Sequence, residues 1–202
     1  MRKLTATLVY ILIFALSGCG PAIRNMDSRG SLIICFGDSI TYGSGAKEGD
    51  DYPSYLAGMV RREVINVGVP GETSGQGLER LEDDVLSEDP YIVIVEFGAN
   101  DHFQGVPKEE TEKNLEEMIS RIQGKGAMVA ICDISGGGML GIYDIFHKDL
   151  KRLSRRTGSI FIPYLMRDIT QSSALRSDRV HPNAKGYKVI AERIYEEIKP
   201  YL

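Results

Sequence analysis

Ser31-Leu32-Ile33-Ile34-Cys35-Phe36-Gly37-Asp38-Ser39-Ile40 is the stretch on which the fold turns. Its apolar residues run without alternation and close on a Gly-Asp-Ser turn, the pattern of a strand covered on both faces. Such a strand ends by holding the Ser39 hydroxyl at the rim of a sheet. Outward from here the pattern recurs, with strands expected at residues 32–36, 64–67, 91–97, 127–133 and 159–163. Helical spacing fills the intervals. Residues 52–63 carry Tyr55, Leu56, Met59 and Val60, and residues 74–87 carry Leu78, Leu81, Val85 and Leu86. Residues 107–124 open with a proline and two glutamates, residues 142–156 repeat apolar positions from Ile142 to Leu153, and residues 183–199 start at the candidate N-cap Asn183.

Strands interleaved with helices imply right-handed crossovers and an α/β class fold, a three-layer α/β/α sandwich. A five-stranded parallel sheet in the flavodoxin-like order 2-1-3-4-5 is expected. At 202 residues the chain suits one domain, and no repeat or internal boundary interrupts residues 31–202. The net charge is -4, and there is no basic stripe, so nucleic acid is not an expected partner. Cys35 and Cys132 each fall inside an apolar run and read as buried strand residues, with no disulfide required.

The N-terminus reads as a targeting segment. Arg2 and Lys3 precede an apolar stretch over residues 4–16, short of the roughly 20 residues that span a bilayer. Leu16-Ser17-Gly18-Cys19 follows and resembles the lipobox of bacterial lipoproteins. That resemblance implies a signal peptide at residues 1–18, lipidation of Cys19 and a lipidated tether over residues 19–30, polar and rich in turn formers. The expected product is an exported cell-envelope lipoprotein, held to a membrane by its N-terminal lipid anchor.

In open α/β sheets ligands lie beyond the carboxyl ends of strands, at the point where strand order reverses. Here that places Gly37-Asp38-Ser39, Gly68-Val69-Pro70-Gly71-Glu72 and Gly98-Ala99-Asn100-Asp101 on one rim. Near the C-terminus comes Ser177-Asp178-Arg179-Val180-His181-Pro182-Asn183. Pro182 biases His181 away from helical geometry, into a loop ahead of the last helix. From there Asp178 can fold back onto one imidazole nitrogen while the other faces the serine.

The four blocks, in this order, resemble the SGNH or GDSL hydrolase family, over the chain from about Leu32 to its end. The resemblance implies Ser39 as nucleophile, His181 as general base and then acid, and Asp178 as its orienter. It implies an oxyanion hole made of the backbone N–H groups of Ser39 and Gly71 and the side-chain amide of Asn100. Ile40 stands where the family name has leucine, a conservative departure. The blocks look most like the bacterial arylesterase, thioesterase and lysophospholipase branch. That implies a serine esterase working through an acyl-enzyme on aryl or short-to-medium acyl esters, lysophospholipids or thioesters. A carbohydrate O-deacetylase of the same fold and a non-catalytic binding lipoprotein are the alternatives.

No cofactor or metal is expected, because no His, Cys and carboxylate cluster has metal spacing and no nucleotide fingerprint is present. The chain is expected to be monomeric. Asp38 reads as a brace for its turn, His102 as a solvated loop histidine, His147 as inert on the polar side of its helix, and Ser135 in Ser135-Gly136-Gly137-Gly138 as part of a flexible cleft wall. Phe103, Val106, Leu140, Ile142 and Tyr143 are candidate walls of an apolar acyl groove.

Overall fold

Each apolar run of the sequence becomes a parallel strand. The computed structural model describes residues 22–135 and 146–202. Its strands are β1 (Leu32–Gly37), β2 (Glu63–Gly68), β3 (Pro90–Glu96), β4 (Met128–Cys132) and β5 (Ile160–Ile162), in the order β2-β1-β3-β4-β5. Helices α1 (Ser39–Tyr42), α2 (Tyr52–Ala57), α3 (Ser74–Leu81), α4 (Ala99–Phe103), α5 (Lys108–Gly124), α6 (His147–Thr157) and α7 (Ala184–Ile198) complete the sandwich.

The absence of alternation has a direct cause. Successive strand residues point to opposite faces, and here both faces are covered. Ile33, Cys35, Ile92 and Ile94 pack with Tyr52 and Leu56 of α2 and Tyr187 and Ile190 of α7. Ile34, Phe36, Val93 and Val95 pack with Leu81 of α3, Leu115 and Ile119 of α5 and Leu153 of α6. Burying each such side chain contributes roughly 1.5–3 kcal/mol, so this two-sided core sets the strand positions.

Helix boundaries differ from the spacing in three places. Residues 52–63 make a shorter helix, because Gly58 caps α2 and the chain must turn to reach Glu63 in β2. Residues 74–87 split into α3 and a π-helical turn, Glu82–Leu86, which lets Val85 and Leu86 both face the core. The turns after β1 and β3 are themselves short helices, α1 and α4. Of the helix expected over residues 142–156, residues 142–145 lie outside the described residues and the remainder forms α6.

The segment assigned by composition to a tether is also different. From Ala22 to Gly30 the chain is fastened across the N-terminal edge of the sheet. The Arg24 N–H donates to Gly158 O at 2.9 Å, and Asn25 Nδ2 donates to the carbonyls of Gln123 and Ala127, each at 2.8 Å. Gly30 lies so close to Pro90 that a Cβ would sit 2.2 Å from its carbonyl oxygen. Ile23 adds an apolar contact to the α2/α7 side of the core. These residues belong to the folded body because their side chains and amides have partners there.

Asn183 does cap α7. Its Oδ1 accepts from the N–H groups of Lys185 at 3.0 Å and Gly186 at 3.2 Å, and its Nδ2 donates to Ala174 O at 3.0 Å and Arg176 O at 3.3 Å. One side chain thus ties the loop before α7 to the helix it starts. Asn183→Ala is expected to lower stability by about 1–2 kcal/mol, read as a lower urea midpoint at unchanged slope. Asn183→Asp, which keeps the cap acceptor and loses the two donors, is expected to fall between.

Candidate active site

β1 ends at Gly37, in register with Gly68 of β2 and Glu96 of β3. No side chain fits at Gly37, where a Cβ would lie 2.2 Å from Thr41 Oγ1 and 2.5 Å from Glu96 O. The chain then turns through Asp38, which caps α1 by accepting from the Ile40 N–H at 3.0 Å. Ser39 is therefore the first residue of α1, where a backbone N–H has no acceptor within the helix. The expected brace role of Asp38 is what the geometry displays, with one addition: Asp38 Oδ2 also accepts from Asn100 Nδ2 at 2.8 Å.

The loop before α7 brings in the histidine. His181 Nε2 lies 3.1 Å from Ser39 Oγ, and its Nδ1 lies 2.8 Å from Asp178 Oδ2. Asp178 Oδ1 accepts from the N–H groups of Val180 at 2.7 Å and His181 at 2.8 Å. Partial burial alone would raise the Asp178 carboxyl, but the His181 and Val180 amides and the imidazole outweigh it and hold it at about 2. An ionised acceptor at Nδ1 fixes the tautomer that leaves Nε2 free to accept the serine proton.

Gly71 and Asn100 reach the same rim. Gly71 has φ +83° with nothing within 4 Å of an added Cβ, so backbone conformation and not space requires glycine there. Asn100 rides on α4, and its Nδ2 donates both to Asp38 and to Glu72 O, at 2.9 Å. Gln104 Nε2 donates to Gly71 O at 3.1 Å. All five sequence-designated residues, Ser39, Gly71, Asn100, Asp178 and His181, thus lie on the loops of one sheet edge. Cys19 lies outside the described residues.

Three buried polar groups went unread in the sequence. Asp101 is fully buried and accepts from the Ser74 N–H at 2.8 Å, from Ser74 Oγ and from Thr111 Oγ1 at 3.0 Å, joining α3 and α5 to α4. Its place beside Asn100 was the available signal. Glu96, also fully buried, accepts from Thr41 Oγ1 at 3.0 Å and the Asp38 N–H at 3.3 Å, while its Oε1 has no partner among ordinary donors. The contact between the two acids runs through the Asp38 N–H, and their carboxyls lie close enough for the charge of one to disfavour the charge of the other. Burial pushes Asp38 up to about 6 and carries Glu96 well above the carboxylate range, with the Asp38 charge adding to the shift on Glu96. A lone charged residue at the end of an apolar run was the signal for Glu96.

Asp133 is the third, and it corrects the readings of His147 and Ser135. His147 is not a free solvated residue: its Nδ1 lies 2.5 Å from the buried Asp133 Oδ2, and its ring stacks on Tyr164 at 4.4 Å. Ser135 is likewise fully buried and bound through its N–H and Oγ to Asp133, so it belongs to a rigid corner. Gly136 to Gly138 lie outside the described residues. This serine is no second nucleophile, since the imidazole nitrogen near it is committed to Asp133. Asp133 O also accepts from the Leu165 N–H at 2.7 Å, which locks the loops after β4 and β5 together.

Those loops supply Ile134 and Met166 to a cavity of about 230 Å³ that opens onto Ser39, His181 and Asn100. Ile40, Ala99, Phe103 and Val180 complete its mostly apolar wall. Phe103 is thus placed as the groove reading expects, Val106 does not line the cavity, and Leu140, Ile142 and Tyr143 lie outside the described residues. His102 meets Phe103 edge to face at 6.0 Å and does not line it either. Among the described residues no group of three or more His, Cys, Asp or Glu is arranged to hold a metal ion.

A parallel α/β sandwich with a strand-end serine, a histidine and a carboxylate in one hydrogen-bonded line has the architecture of a hydrolase. The sequence profile of the GDSL-like Lipase/Acylhydrolase family matches residues 35–189, and the chain belongs to that family. It is similar to an arylesterase of Vibrio mimicus, 28% identical over 95% of this chain and 96% of the relative. An acetylxylan esterase of Geobacillus stearothermophilus is 24% identical over 84% of this chain and 94% of its own. Among solved structures, the psychrotrophic esterase EstA from Pseudoalteromonas sp., inhibited by monoethylphosphonate, superimposes with a TM-score of 0.74. It is 27% identical and covers 85% of this chain and 98% of that one. The chain is a carboxylic ester hydrolase.

The acid pair beneath the serine gives a pH dependence of definite sign. A carboxyl raised in the folded state binds more protons there than in the unfolded chain, so stability falls as pH rises from the unfolded value near 4 through about 6. Glu96→Gln, which keeps an acceptor for the Thr41 hydroxyl and the Asp38 N–H without a titrating proton, is expected to flatten that fall. Urea unfolding of both proteins between pH 4 and 7 measures it, and parallel profiles would remove Glu96 as a source. Asp178 acts oppositely, contributing stability above pH 4 that is lost as pH falls toward about 2.

Proposed function

We propose that the enzyme hydrolyses carboxylic esters with short-to-medium acyl chains, aryl esters included, through a Ser39 acyl-enzyme. The observation that carries the reading is the line Asp178–His181–Ser39, at 2.8 and 3.1 Å, opening directly into an apolar cavity of about 230 Å³. His181 Nε2 takes the Ser39 proton as Oγ attacks the ester carbonyl, and Asp178 stabilises the imidazolium that forms. The tetrahedral oxyanion is held by the Ser39 and Gly71 N–H groups and by Asn100 Nδ2. His181 then gives its proton to the departing alcohol. Water enters by the reverse sequence, frees the acid and restores the serine. The acyl chain lies against Ile134, Met166 and Phe103. Export as a Cys19 lipoprotein would put this chemistry at the cell envelope.

Removal of one oxyanion donor costs about 10²–10³ in kcat. Asn100→Ala is therefore expected to fold, to lose activity on that scale, and to keep reacting with a fluorophosphonate at Ser39 more slowly than the wild type. A folded Asn100→Ala protein with near-normal turnover would remove Asn100 from the role. Failure of the wild type to label at Ser39 would leave a non-catalytic binding lipoprotein as the better reading.

The similarity to an acetylxylan esterase supports a second reading, deacetylation of a carbohydrate, in which the cavity takes only an acetyl group. A panel of p-nitrophenyl esters decides between them. With an acyl chain in the apolar cavity, each added methylene is worth about 0.8 kcal/mol, close to fourfold in kcat/KM until the cavity is full. Ile134→Phe should cut this series short at acetate or propionate. Activity confined to acetylated sugar, with no gain beyond acetate, would favour the deacetylase.

A further inference from the structure

The N-terminal edge of the sheet, opposite the catalytic edge, carries its own exposed apolar side chains. Met26 is 60% exposed and Leu202 is 45% exposed. Leu202 lines a hollow of about 560 Å³ with Met59, Val60 and Tyr195, beside Arg61 and Lys199. Leu202 closes the short 3-10 turn Lys199–Tyr201 that follows α7, and Tyr201 O accepts from the Tyr91 hydroxyl at 2.5 Å. The groove is thus rigidly built and is not a frayed end.

The same edge receives the incoming chain. Arg24 is bonded at the start of β5 and Asn25 at the start of β4, and Gly30 packs against Pro90 at the start of β3. Ahead of Ala22 lie residues 1–21, with their apolar stretch and Cys19. We propose that this edge is a docking surface for a lipid bilayer, brought there by the N-terminal segment, so that the catalytic edge faces the aqueous side. The proposal rests on the reading of residues 1–21 as an export and anchor segment.

Reach decides the orientation. From Cys19 to Arg24, the first hydrogen-bonded residue of the strap, is five residue steps of at most about 3.3–3.6 Å each, or roughly 17 Å. β1 alone lifts Ser39 about 20 Å from the edge where the strap lies. The strap starts beside β5 and Ser39 follows β1, three strand spacings or about 14 Å to the side, so an upright body resting on this edge holds Ser39 away from the point of attachment. Exchanging the two edges would require stripping residues 22–30 from the body, with loss of the Arg24 and Asn25 hydrogen bonds.

The charge pattern says what kind of contact this is. Exposed Arg24, Arg29, Arg61 and Lys125 fringe the edge, none of them in an ion pair among the described residues. Asp27, Glu63, Glu88 and Asp89 are interleaved with them. The contact is therefore carried by the anchor and by Met26 and Leu202 at the lipid–water boundary, with little pull from anionic headgroups. Esters dissolved in the aqueous phase meet the site, and esters in the anchoring leaflet stay out of its reach.

Depth-dependent quenching tests this on the full chain, purified with its N-terminal segment and reconstituted in phosphatidylcholine vesicles brominated near the headgroup. Met26→Cys, Leu202→Cys and Val69→Cys would each carry a bimane label, the native Cys35 and Cys132 being buried and unreactive. Val69, on the loop beyond β2, is 39% exposed and marks the catalytic edge. The expected result is quenching at positions 26 and 202 at least about threefold stronger than at 69, with a contact depth of about 5–10 Å. Equal or stronger quenching at 69, or none at all three, overturns the proposal. A chain that stays off the vesicles with Cys19 unmodified by mass overturns it together with the anchor reading. Hydrolysis of p-nitrophenyl butyrate by the same preparations reports separately on the esterase reading, which any of these outcomes leaves standing.

Discussion

The carboxamide of Asn100 joins three loops at the catalytic rim, two of which also share the backbone bond from the Val69 N–H to Gly37 O. It rides on α4, after β3, and donates to Asp38 after β1 and to the Glu72 carbonyl after β2. Its neighbour Asp101 does the same one layer down, tying α4 to the first turns of α3 and α5. The position of the serine depends on these bonds together with the Asp38 N–H bond to Glu96, because Ser39 follows Asp38 directly. In a site of low local dielectric each such bond is worth more than in water, and each unmet one costs more.

That arrangement also bears on how an oxyanion is met. Both N–H groups of the Asn100 amide are committed in the resting enzyme. A substrate carbonyl is a weak competitor for them, whereas a developing oxyanion is a strong one, since hydrogen bonds to a full charge are roughly twice as strong as neutral ones. In the proposed reaction the amide yields its bond to Glu72 as charge accumulates, so its help is concentrated in the transition state. Asp38, whose own N–H is held by Glu96, accepts the other N–H and keeps the amide aimed.

The opposite edge of the sheet has a plainer task. All strands start there, and residues 22–30 cross it as a fastened strap. A parallel sheet separates its two edges by a strand length, so whatever holds one edge is kept away from the other. Under the proposed attachment through residues 1–21, chemistry and anchor fall at different ends of the molecule by the strand direction alone.

Strand positions, helix order and the approach of Asp178 to His181 were legible in the sequence because each rests on local rules. A doubly covered strand reads as an unbroken apolar run, as at Ile33 to Phe36, and Asp178 with His181 and Pro182 is a contact closed within a few residues. The π-helical turn after α3 was not legible, since it depends on Val85 and Leu86 both finding the core. Nor was the strap, whose polar composition matches a tether and whose partners Gly158, Gln123 and Ala127 lie about a hundred residues away or more. His147 read as inert because helical spacing placed it on a polar face, and only the tertiary fold brought buried Asp133 and Tyr164 to it. The sequence by itself determined the strand order and which polar residues meet at one edge of the sheet. The tertiary structure decided which carboxylates keep their protons and which face of the molecule the chain starts from, because both depend on burial and on partners distant along the chain.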